Sequence, residues 1–212
     1  MYYTYSTMSS TNLQNFPGDV QIRGTTFIKA NTNSDNLAIG TEAGLTSQGD
    51  SSVAIGDQAG SNAQGASSVA VGNLAGQATQ GVNAVAIGDR AGQTSQNNYS
   101  VAVGSTAGFS AQDLYGVAVG DAAGQNNQGH SATAVGRLAA QTSQGDNSVA
   151  VGLSAARTSQ GVSAVAIGHD SGKNSQGAEA VAIGVYAGET SQGTEAAAIG
   201  DLAGRYNQGA SA

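Results

Sequence analysis

Gly40, Gly56, Gly72, Gly88, Gly104, Gly120, Gly136, Gly152, Gly168, Gly184 and Gly200 follow one another every 16 residues without a slip. A short fixed period of this kind belongs to a solenoid, in which no unit can cover its own apolar edge and each is completed by its neighbour. Eleven copies fill residues 37–212, and residues 1–36 stand outside the repeat.

Aligning the copies in columns separates what a rung requires from what it tolerates. Three columns never vary: the glycine, the alanine two residues before it (Ala38 to Ala198), and a glutamine eight residues after it (Gln48, Gln64, Gln80, Gln96, Gln112, Gln128, Gln144, Gln160, Gln176, Gln192 and Gln208). The alanine is flanked by Val in most copies and by Ile or Val in all, as in Ser52–Gly56 and Asn147–Gly152. Apolar residues at i and i+2 share one face of a strand, and β-branched side chains favour pleated backbone. Each phrase is therefore read as a short strand whose apolar face is Val53, Ile55, Val69, Val71, Val85, Ile87, Val149, Val151, Val165, Ile167, Val181 and Ile183, the expected structural core. The repeated Ala-Gly and Gln-Gly pairs mark turns, so a rung of two short strands and two turns is predicted. The class is all-β, a parallel β-roll or β-solenoid of about eleven rungs, forming a rod roughly 50 Å long at ~4.8 Å per rung.

So little apolar surface cannot stabilise an isolated rung, and an interface between identical chains is expected to supply the remainder. Residues 1–36 are read as a cap or connector, with Phe16, Val20, Ile22, Phe27 and Ile28 available to plug the first rung and a tyrosine-rich start suited to docking on a larger assembly. The far end stops in phase with the repeat, which predicts that the polypeptide continues or that another chain covers this edge.

The residue inventory narrows the chemistry. With 14 acidic against 7 basic residues the net charge is −7, which repels rather than attracts a polyphosphate backbone. There is no cysteine for thiolate or disulfide chemistry, and no apolar run approaches the ~20 residues of a membrane span. Neither nucleic acid nor membrane insertion is expected, and no cofactor.

The phrase Asn147-Ser-Val-Ala-Val-Gly152, with its shorter relatives, resembles the head repeat of YadA-like trimeric autotransporter adhesins, a repeat type also found in fibre-like proteins of phages and large viruses. The resemblance covers residues 37–212. It implies a left-handed parallel β-roll, three chains side by side, and use as an attachment surface. The period of 16 departs from the roughly 14 usual in the bacterial heads, and neither a signal peptide nor an anchoring barrel is visible. The resemblance is therefore taken toward a virion or phage particle surface, with a bacterial surface head as the alternative.

Against this background a few residues stand out. The glutamine column is expected to form a structural amide ladder. Tyr99 and Tyr115 share a column one rung apart, near Phe109 and Leu114, where Gln96-Asn97 and Gln112-Asp113 replace the Gln-Gly turn; an exposed aromatic patch for a host-surface glycan or protein is expected there. Glu179 and Glu195 share the same column and are read as a solvated face, and no calcium-binding nonapeptide pattern accompanies them. Gly168 to Asn174 falls one residue short of phosphate-loop spacing, and His130 and His169 have no evident catalytic partner, so no enzymatic activity is expected. A row of small polar residues, Thr46, Asn62, Ala78, Thr94 and onward, leaves a flat-array binder such as an ice-binding solenoid as a further alternative.

Overall fold

A computed structural model describes residues 35–212 and the backbone of residues 20–22 and 25–30. The described residues form short strands and turns with no helix, and the strands of successive rungs pair parallel at an offset of 16 residues. The chain is a β-solenoid.

Each rung opens with a three-residue strand on the Val-Ala-Ile phrase. The register is strict: Val101 faces Val85 and Val117, and Ala102 faces Ala86 and Ala118. These strands belong to one thirteen-stranded sheet. Two of its members are β1 (Val20–Ile22) and β2 (Thr25–Ala30), an antiparallel pair, and β2 lies antiparallel on β3 (Leu37–Ile39), the first rung strand. Eleven parallel strands therefore remain, separated by ten steps. β1 and β2 thus cover the open backbone edge of the first rung. The side chains of Val20, Ile22, Phe27 and Ile28, with Phe16 and the tyrosine-rich start, lie outside the described residues.

In nine of the eleven rungs a second strand ends on the invariant glutamine, and Thr94–Gln96 to Thr190–Gln192 form a seven-stranded sheet. Thr46–Gln48 and Asn62–Gln64 form a separate pair, and isolated bridges from Gln64 to Gln80 and from Gln80 to Gln96 span the gap. The middle residue of this strand adopts positive φ in ten rungs, for example Ser95 at 55° and Ala111 at 56°, but not at Thr79. Thr79 is the β-branched member of that column, and β-branching disfavours the left-handed region.

Turns are stacked as firmly as strands. Gly44 N–H donates to Ala59 O at 2.9 Å, Gln58 N–H to Thr41 O at 2.8 Å, and Ser67 N–H to Asp50 O at 2.8 Å. Several positive-φ residues per rung, such as Gln58, Ala63 and Ser67 with Gly56 and Gly60, turn the corners. The invariant glycine is dictated by this stacking. Gly120 has φ +130°, a region closed to side chains, and a Cβ placed there would lie 2.6 Å from Gly136 O.

The interior corrects the predicted core. Between the two sheets lie the alanine of the first strand, the alanine of the turn (Ala59, Ala75, Ala91), the glutamine, and a Ser or Ala before the next rung, all buried. Val53, Ile55, Val69, Val71, Val85, Val149, Val151, Val165 and Val181 are half-buried on the outer face, and Ile87, Ile167 and Ile183 are exposed there, Ile87 by 40%. The reason is thickness. Glutamine amides cross from one strand of a rung to the other with a single set of hydrogen bonds, which leaves room beside them for a methyl group and not for a branched side chain.

Two glycine-to-alanine substitutions should separate. Gly120→Ala meets backbone and is expected to cost about 3 kcal/mol. Gly124→Ala meets the movable Gln128 side chain, in a column where Ala140 and Ala156 already adopt φ 44° and 46°, and should cost about 1 kcal/mol. Denaturant titration of both variants checks the order, and equal losses would contradict it.

Candidate functional site: an aromatic corner on an apolar-faced roll

The glutamine column is the internal brace of the roll. Gln96 Nε2 donates to Val85 O at 2.8 Å within its own rung, and Gln128, Gln144, Gln160, Gln176 and Gln192 repeat this bond to the first residue of the first strand. The amide also donates to Oε1 of the next glutamine at 3.2 Å from Gln96 to Gln112 and from Gln128 through to Gln192. The predicted ladder is present there, as the axial half of a two-way bracing pattern. Gln64, Gln80 and Gln112 brace their rungs in the same way, and Gln208 donates to Ala197 O. At Gln48 the buried Nε2 has no partner. Serine supports the second turn: Ser52, Ser68, Ser100 and Ser148 are buried, and each hydroxyl donates at 2.6 Å to the carbonyl three residues earlier.

With the interior filled this way, variation is confined to the outside. Tyr99 and Tyr115 occupy the second turn of the fourth and fifth rungs, in left-handed backbone at φ 59° and 60°. Their rings stack 5.2 Å apart at 12°, and each residue is about half exposed, 49% and 52%. His130 on the sixth rung sets its ring edge-on to Tyr115 at 5.7 Å. The structure thus assembles the two predicted tyrosines and adds a histidine from a neighbouring column. Leu114 precedes Tyr115 in the same turn and is half-buried. Phe109 is also half-buried but stands in the column of Gln93 and Gln125, at the start of the second strand and apart from the tyrosine ladder.

On the fourth to sixth rungs, a shallow groove of about 320 Å³ is lined by Ser95, Asn97, Ala111, Asp113 and Asn127. Asn97 Nδ2 donates to Asp113 Oδ1 at 3.1 Å, and Asp113 Oδ1 also accepts from Leu114 N–H at 2.7 Å. These two residues take the place of turn glycines. At Gly81, one rung earlier, an added Cβ would lie 2.4 Å from backbone of the next turn. Asn97 N–H to Gln112 O and Asp113 N–H to Gln128 O nevertheless persist at 3.0 Å, so the axial ladder passes through the altered turns.

A second aromatic cluster sits on the other turn, near the last rungs. His169 and Tyr186 rings are 5.2 Å apart, and the Arg205 guanidinium lies 4.9 Å from the Tyr186 ring centre and 4.8 Å from that of Tyr206. Arg205 Nε donates to Glu189 at 2.6 Å, and this bond raises the arginine pKa further above its usual value. In the shortened phosphate-loop-like turn, Lys173 Nζ is held by Asp170 at 3.0 Å. Sequence reading missed this cluster because its members fall in two pairs of columns with the turn alanine and glycine between them; reading the columns on both sides of that turn together would have shown it.

Glu179 and Glu195 are exposed, and Ser211 Oγ donates to Glu195 at 3.1 Å. In the threonine row, the hydroxyls of Thr46, Thr94, Thr142 and Thr158 donate to carbonyls of the next rung, and Asn62, Ala78, Ser110, Asn126, Asn174 and Tyr206 interrupt the row. Comparison with family models, with curated proteins and with solved structures found no match.

The brace predicts a charge-sensitive core. Gln144→Glu places a carboxylate where Thr133 O and Ser148 O each accept a hydrogen bond, in a buried site. Burial and the facing carbonyls raise its folded-state pKa above the unfolded ~4.3. The variant should therefore be most stable below about pH 4 and lose stability as pH rises through the raised folded value, whereas Gln144→Ala should lose about 2–4 kcal/mol without that pH dependence. Thermal melts of both variants between pH 4 and 8, referenced to the parent chain, test this.

Proposed function

We propose that the chain is a structural attachment module: a rigid roll that associates side by side with copies of itself, three in the arrangement implied by the resemblance, left-handed in coil, on the surface of a virus or phage particle. Its turn columns then face outward to host-surface glycans or proteins. One observation carries this reading. The outer face of a long parallel sheet carries two columns, one Ile or Val in every rung from Ile39 to Ile199 and one Val from Val53 to Val181 except for Thr133, while the interior holds alanine and glutamine. A long apolar stripe on such a face is the pattern of a surface that another chain covers.

Repetition supplies the mechanism of attachment. A patch that binds weakly on one chain is multiplied by association, and the effective concentration of the remaining copies strengthens the whole. The rod serves this use because its axial hydrogen bonds run through turns and strands alike, so the display is held in register along its length. No helix among the described residues is long and apolar enough to cross a membrane.

Sedimentation of the purified chain should show a trimer, and its melting temperature should rise with protein concentration, because association and folding are linked. Val101→Lys with Val117→Lys, both on the outer face, should shift the equilibrium strongly toward single chains or unfolded material. A folded monomer at micromolar concentration with a concentration-independent melt would count against the proposal. Labelling of intact particles with an antibody to the chain tests their surface as its location.

A further inference from the structure

We propose that the corner formed by Tyr99, Tyr115, Asn97 and Asp113 is a binding site for neutral saccharide chains. This rests on the attachment reading above and names the ligand class of one patch within it.

Substitutions cluster here as nowhere else in the second turn. The column of Asn97 and Asp113 holds glycine in the other nine rungs, and the column of Tyr99 and Tyr115 holds Ser, Asn or Glu in the other nine. Both pairs fall on the same two consecutive rungs. The backbone does not call for these replacements, since the other nine rungs keep the same turn with glycine in one column and Ser, Asn or Glu in the other. Bulky residues on an exposed corner contribute nothing to the alanine and glutamine interior, and exposed aromatic departures of this type point to a function outside the fold.

The groups present suit a sugar. A saccharide has an apolar C–H face and a rim of hydroxyls. The stacked tyrosines supply ring surface and two hydroxyls. Toward the third rung their column continues with exposed Asn83, so that face of Tyr99 has no ring above it. The groove is formed by Asn97 and Asp113, two residues earlier in the same turns, with Ser95, Ala111 and Asn127 of the second strands, and supplies the amides of Asn97 and Asn127, the carboxylate of Asp113 and the hydroxyl of Ser95. Its volume of about 320 Å³ is at the lower end for a small-ligand site. The groove lining carries no cation and one carboxylate, in a chain of net charge −7, which disfavours sialylated, sulfated or phosphorylated sugars. Because Tyr99 and Tyr115, like Asn97 and Asp113, repeat at the rung spacing, a chain lying along the roll axis meets each type of contact twice.

The repeat itself provides benign variants. Tyr99→Ser with Tyr115→Ser installs the residue that Ser67 and Ser131 already place in left-handed backbone, and Asn97→Gly with Asp113→Gly restores the usual turn. The full chain is applied to a printed array of neutral hexose and N-acetylhexosamine oligomers alongside sialylated and sulfated ones. Expected are binding to neutral members, little sensitivity to salt, and binding weakened about tenfold or more in each double variant with melting temperature unchanged. Binding confined to acidic sugars, no saccharide binding, or binding unaltered in both variants would overturn the proposal. Sedimentation of the tyrosine variant separates the two readings. Loss of association would make the tyrosines a contact between chains, ending the saccharide site while leaving the attachment module in place. Failure of the parent chain to associate would strike the attachment module whatever the array shows.

Discussion

Axial hydrogen bonding between identical rungs is the interaction on which the rest of this molecule depends. Parallel strands joined this way stand ~4.8 Å apart, and the same spacing is imposed on every turn because the turns donate and accept along the axis too. At that spacing no Cβ fits on the residue that closes the first strand, where the backbone of the next rung occupies its place. Glycine in that column is thus a consequence of how closely the rungs lie. The positive-φ turn positions are less demanding: Ser67, Leu74, Asn83, Arg90 and Tyr99 occupy them, each with its N–H fixed on a carbonyl of the preceding rung.

The thinness of the roll follows, and thinness inverts the usual distribution of side chains. Alanine methyls and glutamine amides fill the interior, so hydrophobic burial within one chain is small and hydrogen bonding carries an unusual share of its cohesion. A buried amide is stabilising only when its donors are used. Every glutamine of the invariant column from Gln64 to Gln208 uses Nε2 on a backbone carbonyl of its own rung, and several reach the next glutamine of that column as well. The valines and isoleucines are left on the outer sheet face, which gives the proposed association its surface.

Because backbone and interior are fixed by stacking, the columns free to vary are those whose side chains leave the roll. The second turn carries Tyr99, Tyr115 and His130 in the middle of the rod, and the first turn carries His169, Tyr186 and Arg205 toward its far end. Placing different side chains at different heights on opposite edges of one scaffold gives separate patches without altering the fold beneath them. The turn at Asn97 and Asp113 shows the tolerance of the arrangement, since the axial bonds continue through it.

The sequence alone determined the period, the parallel stacking, the two strands and two turns of each rung, and the pairing of Tyr99 with Tyr115, because a strict repeat converts distance along the chain into height along an axis. It also held the evidence against its own expected core: an alanine that never varies beside Val and Ile that interchange marks the position without spare volume. Which face of Val-Ala-Ile points inward was decided only by tertiary structure, since alternation along three residues is equally compatible with either face and the width of the space between two sheets is not written in one strand. The same holds for the partners of the glutamine amides, the ring of His130 against Tyr115, and the cluster around Arg205. These depend on how far a turn carries a side chain across columns, a distance that periodicity along the axis does not measure.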